Sequence, residues 1–293
     1  MIPIYYSGRY VGSKYAFDTT RKAEWIAKSL SASPIDGLEL IEPEPLTQEQ
    51  IVAVHGVNYV DAIKTGEPRH LAKSQGFTWD PGLWPMVLSS NGGAVAAALA
   101  ALEHGVAGSL SSGLHHARQG SGMGFCTFNG LVIAAHEALA AGAETILIID
   151  VDAHCGGGTA SLIADIPDVW QIDLSVDSVD WYESSDRARL YFVREGADYL
   201  PTLEQALTDI VRTRIAFDLC LYNAGMDPHE NCDVGGLAGI TNEILAKREY
   251  IVFEWCRRRA LPVAFVLAGG YIGARLDKSE LVDLHRLTLF ASA

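Results

Sequence analysis

Short β-branched runs alternate with helical patterns along the chain, and this alternation predicts strand–helix units around a parallel sheet. The segment 145–149 is an unbroken apolar run, which is typical of a strand buried on both faces. Four further strands are predicted at residues 2–6, 169–174, 218–222 and 262–267. We therefore expect an α/β fold in which a central parallel β-sheet is flanked by helices on both faces.

Helical periodicity covers residues 94–103, 130–141, 203–214 and 241–258. The last helix is expected to have Thr241 as its N-cap. The alanine-rich segment 94–102 is interpreted as a packed helix and not as a membrane span. The chain contains no internal repeat or long Pro/Ser linker, so we expect a single domain over residues 1–293. The irregular stretches 65–85 and 175–189 are expected to shape a binding rim.

The formal net charge is −14, from 36 acidic and 22 basic residues among 293. Such acidity disfavours nucleic acid and anionic membrane as partners and mildly favours cationic ligands, although it also suits a protein that is merely kept soluble. The five cysteines form no C-x-x-C pair, which predicts reduced thiols and a cytoplasmic protein. The first residues lack a basic segment followed by an apolar one, so we expect no signal peptide.

Polar residues cluster just after the ends of three predicted strands. Asp150, Asp152 and His154 alternate along an extended segment and would point the same way, as metal ligands do. Asp227 follows the strand at 218–222, and Tyr271 follows the strand at 262–267. Ligands of parallel sheets bind at the carboxyl ends of strands, so these side chains can converge on one site.

Each signal also has an ordinary structural explanation. An Asp-x-His pair is often a cap or a salt bridge, an Asp before Pro is usually a turn former, and paired glycines suit a tight turn. Adjacent His115 and His116 in a Gly/Ser loop can be surface residues, weak metal ligands or an acid/base pair. Their joint order and spacing are harder to explain in this way.

The order of these motifs resembles the zinc-dependent histone deacetylase and acetylpolyamine amidohydrolase family, which has the arginase/deacetylase-like fold. The matching motifs are His115-His116, Gly124-Phe125-Cys126, Asp150-Val151-Asp152-Ala153-His154, Ala224-Gly225-Met226-Asp227 and Gly269-Gly270-Tyr271. The resemblance extends over nearly the whole chain. The segments Tyr222-Asn223-Ala224-Gly225 and Val234-Gly235-Gly236-Leu237 are closest to the class IV histone deacetylase branch.

The resemblance implies a catalytic zinc ion held by Asp152, His154 and Asp227. Three protein ligands leave one coordination position open for water and substrate, as in other catalytic zinc sites. Ferrous or cobalt ions would also suit this oxygen-rich set. The resemblance further implies a structural potassium ion, bound by Asp150, Asp173 and Leu174 together with the carbonyls of Asp152 and His154.

The implied reaction is hydrolysis of an amide bond, which removes an acetyl or longer acyl group from a lysine side chain or small amine. In it His116 would act as general base, while His115 and its partner Asp150 would stabilise charge. Tyr271 would donate its hydroxyl to the developing oxyanion. The implied substrates are an acylated lysine peptide, an acylated polyamine or a small acylated metabolite.

Two residues are expected to line a narrow tunnel for the acylated side chain, Phe125 and its neighbour Gly124. Asp80 is a candidate for holding the substrate backbone at the rim. The segment 15–18 lacks the family's usual His-Pro, so the rim is expected to be remodelled.

A departure from the family pattern follows the metal-binding histidine. Gly157 stands where the family has the Asp or Asn that orients the second histidine, so His116 must take its partner from water, the backbone or elsewhere. One alternative is therefore a binding module that keeps the pocket but has weak or no turnover. A second alternative, an arginase-like ureohydrolase, would need a carboxylate at position 156, where this chain has glycine.

Overall fold

The computed structural model covers residues 1–293 and describes all of them except the side chain of Thr19. Its strands are β1 (Ile2–Tyr5), β2 (Leu38–Ile41), β3 (Val106–Ser109), β4 (Ile146–Asp150), β5 (Val169–Ser175), β6 (Ala188–Phe192), β7 (Leu219–Ala224) and β8 (Val263–Leu267). They form one sheet in the order β2-β1-β3-β8-β7-β4-β5-β6, and every pair of neighbours is parallel. The expected central parallel sheet is thus confirmed.

Helices connect these strands and cover both faces of the sheet. They are α1 (Asp18–Ala32), α2 (Gln48–Val52), α3 (Val57–Thr65), α4 (Arg69–Ala72), α5 (Leu83–His104), α6 (Gly130–Ala140), α7 (Gly157–Ile163), α8 (Tyr199–Arg212), α9 (Asn242–Arg257) and α10 (Lys278–Ser292). Two short 3₁₀ turns lie at Gly8–Val11 and Gly196–Asp198.

All five predicted strands and all four predicted helices are present, with boundaries shifted by a few residues except in α5. That helix begins at Leu83 and not at residue 94, so the irregular stretch predicted at 65–85 includes α4 and the start of α5. Helix α9 follows Thr241 as expected, but the Thr241 side chain makes no capping hydrogen bond.

Alternation along the central strands divides the core into two layers. In β4, Leu147 and Ile149 point toward α1, α8, α9 and α10, whereas Ile146 and Ile148 point toward α5 and α6. All four side chains are fully buried. Burial of each contributes roughly 1.5–3 kcal/mol, which explains why this run contains no polar residue before Asp150.

Helix α5 is apolar around most of its circumference. Among helices of the described chain it alone is long and apolar enough to cross a membrane, and 72% of that apolar stretch is buried within the fold. A helix that is hydrophobic on all sides is expected to lie in the interior, which agrees with the packed helix predicted for residues 94–102.

The strand register places polar residues side by side at the carboxyl end of the sheet. Asp150 at the end of β4 is opposite Asp173 on β5 and opposite Asn223 on β7. The chain segments that follow β3, β4, β5, β7 and β8 extend beyond this edge. They carry the residues of the candidate site.

Candidate active site

His115 is fixed by a buried carboxylate at the end of β4. Its Nδ1 lies 2.7 Å from Oδ2 of Asp150, and Oδ1 of Asp150 accepts hydrogen bonds from the Asn223 amide (2.8 Å) and the Asp152 N–H (3.1 Å). Burial opposes the charged imidazolium, but the carboxylates of Asp150 and Asp152 outweigh it and raise the pKa of His115 to about 10. These two carboxylates therefore favour the charged form of His115.

The three predicted metal ligands lie together beside this pair. Nδ1 of His154 is 3.0 Å from Oδ1 of Asp152 and 3.3 Å from Oδ2 of Asp227. One potential ligand atom of each residue lies within 4.8 Å of the others, and all three residues are buried. Asp152 and His154 lie just after β4, and Asp227 lies just after β7.

The chemistry of this donor set fits a divalent cation. Oδ2 of Asp227 is buried and accepts no hydrogen bond from any described residue. Burial and the nearby charge of Asp152 raise the pKa of Asp227 to about 6. Two adjacent buried carboxylates require positive charge to be stable, and a divalent metal supplies it. A Cβ added at Gly269 would lie 1.9 Å from Oδ2 of Asp227, so only glycine leaves this cradle open.

His116 has a carboxylate partner that the sequence did not identify. Its Nδ1 lies 3.0 Å from Oδ2 of Asp180, in the segment between β5 and β6. The His116 ring is 4.0 Å from that of His115 and 5.9 Å from that of His154, measured between centroids. Burial and the charge of His115 lower the pKa of His116 to about 4. His116 is therefore neutral and able to accept a proton.

Tyr271 reaches the site from the turn that follows β8. Its ring centroid lies 6.1 Å from that of Phe125. Burial and the carboxylates of Asp227 and Asp152 raise the pKa of Tyr271 well above the ordinary tyrosine value. The phenol therefore stays protonated and can donate a hydrogen bond.

Phe125, which was predicted to line the tunnel, belongs to a cluster of stacked aromatic rings. The ring centroid of Phe17 lies 4.0 Å from that of Phe125. The Phe77 ring is stacked near both, 5.5 Å from Phe17 and 6.0 Å from Phe125. Phe17 falls within the segment 15–18 that was expected to differ, and its contact with Phe125 was not predicted. Gly124 has a positive φ of 52°, and a Cβ there would lie 2.5 Å from Cδ2 of His116.

The residues predicted to hold potassium lie behind the metal ligands. Asp150 and Asp173 are fully buried on adjacent strands, and Leu174 follows in β5. Oδ2 of Asp173 accepts the Gly156 N–H at 2.7 Å. Burial and the charge of Asp150 raise the pKa of Asp173 to about 8, so this position also favours a cation.

Asp80 lies just before α5 and its carboxylate already has partners. It accepts hydrogen bonds from the Ser13 hydroxyl (2.6 Å) and from the N–H groups of Lys14 (3.2 Å) and Gly82 (2.8 Å). These contacts attach the segment after the first 3₁₀ turn to the start of α5. A contact between Asp80 and the substrate backbone stays a prediction.

Comparison with solved structures identifies the fold. Acetylpolyamine aminohydrolase from Burkholderia pseudomallei superposes with a TM-score of 0.80 over 99% of this chain and 98% of its own, at 19% identity. Since identity is low, this likeness shows the shared arginase/deacetylase fold and no more.

Sequence comparison then defines the family. The histone deacetylase domain model matches residues 16–189, more than half of the chain. An uncharacterized protein of Picosynechococcus sp. is 36% identical over 244 residues, which cover 79% of this chain and 80% of that protein. Histone deacetylase 2 of Arabidopsis thaliana is 26% identical over 97% of this chain and 79% of its own length. The chain belongs to the histone deacetylase family, whereas its assignment to the class IV branch stays a prediction.

Proposed function

We propose that this protein is a metal-dependent amidohydrolase, with one catalytic domain over residues 1–293, that removes an acetyl or longer acyl group from a lysine side chain or a small amine. The observation that carries the proposal is the convergence of three buried ligand atoms within 4.8 Å of one another, next to two histidines. Family membership supports the same reaction class. The finer assignment of the metal as zinc rests on two carboxylates and one imidazole that leave a position open.

A divalent cation bound by Asp152, His154 and Asp227 would polarise the amide carbonyl and acidify a water molecule. The neutral imidazole of His116 accepts the proton of the attacking water through Nε2, because Nδ1 faces Asp180. His115, held as a cation by Asp150, stabilises negative charge and supplies a proton toward the leaving amine.

Tyr271 would complete this arrangement as a hydrogen-bond donor. Its protonated hydroxyl donates a hydrogen bond to the carbonyl oxygen as negative charge develops there. The stacked rings of Phe125 and Phe17 would form an apolar wall of the proposed tunnel. A potassium ion at Asp150 and Asp173 would balance the carboxylates beneath the site.

The contact between His116 and Asp180 favours turnover over a binding-only role. The binding-module alternative depended on a second histidine without a partner, and His116 has one 3.0 Å away. The arginase-like alternative gains no support at residue 156, where glycine offers no side chain to bridge a second metal.

The proposed activity is tested by hydrolysis of acyl-lysine peptides that range from acetyl to long-chain acyl, with acetylated polyamines in parallel. We expect turnover by the zinc-loaded protein, and a loss of about 10²–10⁴-fold in His116→Ala because a general base contributes that much. His104→Ala is the matched control, since His104 lies exposed at the end of α5. Equal turnover in His116→Ala and the wild type would remove His116 from the reaction, and no turnover on any substrate would contradict the proposed function.

A further inference from the structure

The carboxylate that faces His116 lies 64 positions further along the chain, in the segment between β5 and β6. Oδ2 of Asp180 is 3.0 Å from Nδ1 of His116, and it also accepts the Gly158 N–H at 2.9 Å. The side chain of Asp180 is 1% exposed. An acceptor at Nδ1 keeps the ring proton on that nitrogen, which leaves the lone pair of Nε2 free to take a proton.

The backbone of this segment occupies space that a side chain at position 157 would need. A Cβ built on Gly157 would lie 2.3 Å from the carbonyl oxygen of Asp180 and 2.7 Å from its Oδ1. A carboxylate carried by residue 157 and this placement of Asp180 therefore exclude one another. Asp180 can occupy this place only because residue 157 is a glycine and has no side chain.

A second side chain fixes the Asp180 carboxylate in charge and orientation. The Arg118 guanidinium pairs with Oδ1 of Asp180 and also donates to the Gly157 carbonyl at 3.2 Å. Oδ1 therefore faces Arg118, while Oδ2 faces His116 and the start of α7. Burial alone would raise the pKa of Asp180, but His116 and Arg118 outweigh it and lower the pKa below the ordinary value.

The backbone at Asp180 is also unusual. Its φ is +61°, in the left-handed region that non-glycine residues seldom adopt and that Asp and Asn tolerate best. Backbone strain of this kind persists where surrounding contacts over-determine it, and such positions cluster at functional sites. Here those contacts come from His116, Arg118 and Gly158.

We propose that Asp180 is the positioning residue of His116, and that it replaces the carboxylate or amide which the family carries at the position of Gly157. This inference rests on the proposed function, because His116 acts as a general base only in that reaction. Asp180 holds the His116 ring with its proton on Nδ1 and Nε2 directed to the reacting water. Arg118 keeps the Asp180 carboxylate charged and oriented.

A purely structural role must be distinguished from this one, because Asp180 also caps the N-terminus of α7 through Gly158. Two substitutions suit the left-handed backbone at this position, Asp180→Asn and Asp180→Gly. Asparagine can still accept the hydrogen bonds of His116 and Gly158 through its single oxygen, but it removes the charge that pairs with Arg118. Glycine leaves an open space in which formate can stand in for the lost carboxylate.

In zinc-loaded protein with an acetyl-lysine peptide, we expect Asp180→Gly, which removes the acceptor, to lower kcat by about 10²-fold with little change in KM, and Asp180→Asn to lower it less. Added formate should restore part of kcat in Asp180→Gly, and it should not do so in Asp180→Asn or the wild type. Glu183→Gln, which alters an exposed carboxylate of the same segment, should retain wild-type kcat. Wild-type kcat in Asp180→Gly would overturn the proposal, as would a kcat that formate does not restore and that falls only in step with melting temperature and zinc content.

A measurement that needs no turnover separates this inference from the proposed function. Long-range ¹H–¹⁵N spectra report which ring nitrogen of a histidine is protonated, and the His116 signal is identified by its absence in His116→Ala. We expect the proton on Nδ1 in the wild type and its partial transfer to Nε2 in Asp180→Gly. A proton on Nε2 of wild-type His116 would overturn the role of Asp180 whatever the activity. A protein that shows the Nδ1 proton but hydrolyses no substrate would support the positioning role and contradict the proposed function.

Discussion

Replacement of Asp227 by asparagine is expected to abolish stable zinc binding and, with it, amide hydrolysis. Oδ2 of Asp227 is buried, accepts no hydrogen bond from any described residue, and lies 3.3 Å from Nδ1 of His154. Asparagine keeps the shape of the side chain but removes one of the two negative charges that neutralise a divalent cation. Loss of a direct ligand should weaken zinc affinity by more than the 10–100-fold that is typical when an outer hydrogen-bond partner is lost.

Zinc content after dialysis and competition with a chromogenic chelator measure this effect directly. The metal-free variant should melt no lower than the metal-free wild type, because its substitution relieves repulsion with Asp152, whose charge raises the pKa of Asp227. Asp168→Asn, at an exposed position before β5, is the matched control. An Asp227→Asn protein that binds zinc as tightly as the wild type would show that the metal lies elsewhere.

The second large effect is expected for Tyr271→Phe, which removes only a hydroxyl group. Loss of one donor to a developing oxyanion typically lowers kcat by about 10²–10³-fold, equivalent to about 2.7–4 kcal/mol. The aromatic contact with Phe125 survives in the variant, so KM and melting temperature should change little. Steady-state kinetics on the best acyl-lysine peptide provide the measurement.

Tyr250→Phe controls for removal of a phenol in general, since Tyr250 lies 61% exposed on α9. It should retain wild-type kcat. If Tyr271→Phe also turned over at the wild-type rate, the carbonyl oxygen would receive its hydrogen bond from another group, and Tyr271 would have no part in the chemistry.

The central strands could be predicted from the sequence because burial on both faces leaves an uninterrupted apolar run. β3 was not predicted, because Gly108 in its middle weakens the strand pattern of the sequence. A Cβ at that position would lie 2.2 Å from the ring of Phe265 on neighbouring β8, so the glycine is required by a residue distant in sequence. β6 lies at the edge of the sheet, where partly exposed Arg189 and Tyr191 interrupt the apolar pattern.

The site shows a similar division between local and long-range information. Asp152, His154 and Asp227 follow buried strands directly, so their convergence could be expected from the parallel topology alone. Asp180 lies within an irregular segment that contains several acidic residues, and nothing in its local pattern distinguishes it from Asp177. Asp180 becomes the partner of His116 because the folded chain passes over Gly157 at this point. The lack of a side chain at Gly157 was the only sign in the sequence that His116 needs a partner from another position.

We propose that one metal ion at Asp152, His154 and Asp227 supports hydrolysis of an acylated amine. Metal titration tests this: the protein is stripped with a chelator, zinc is returned in steps below one equivalent, and release of acetate and free amine is measured from acetyl-lysine peptide and acetylated polyamine. We predict no turnover in the stripped protein and a linear rise that ends at one zinc per chain, with acetate and amine formed in equal amounts. Turnover that survives removal of the metal, or that requires two zinc ions per chain, would contradict hydrolysis at a single metal site.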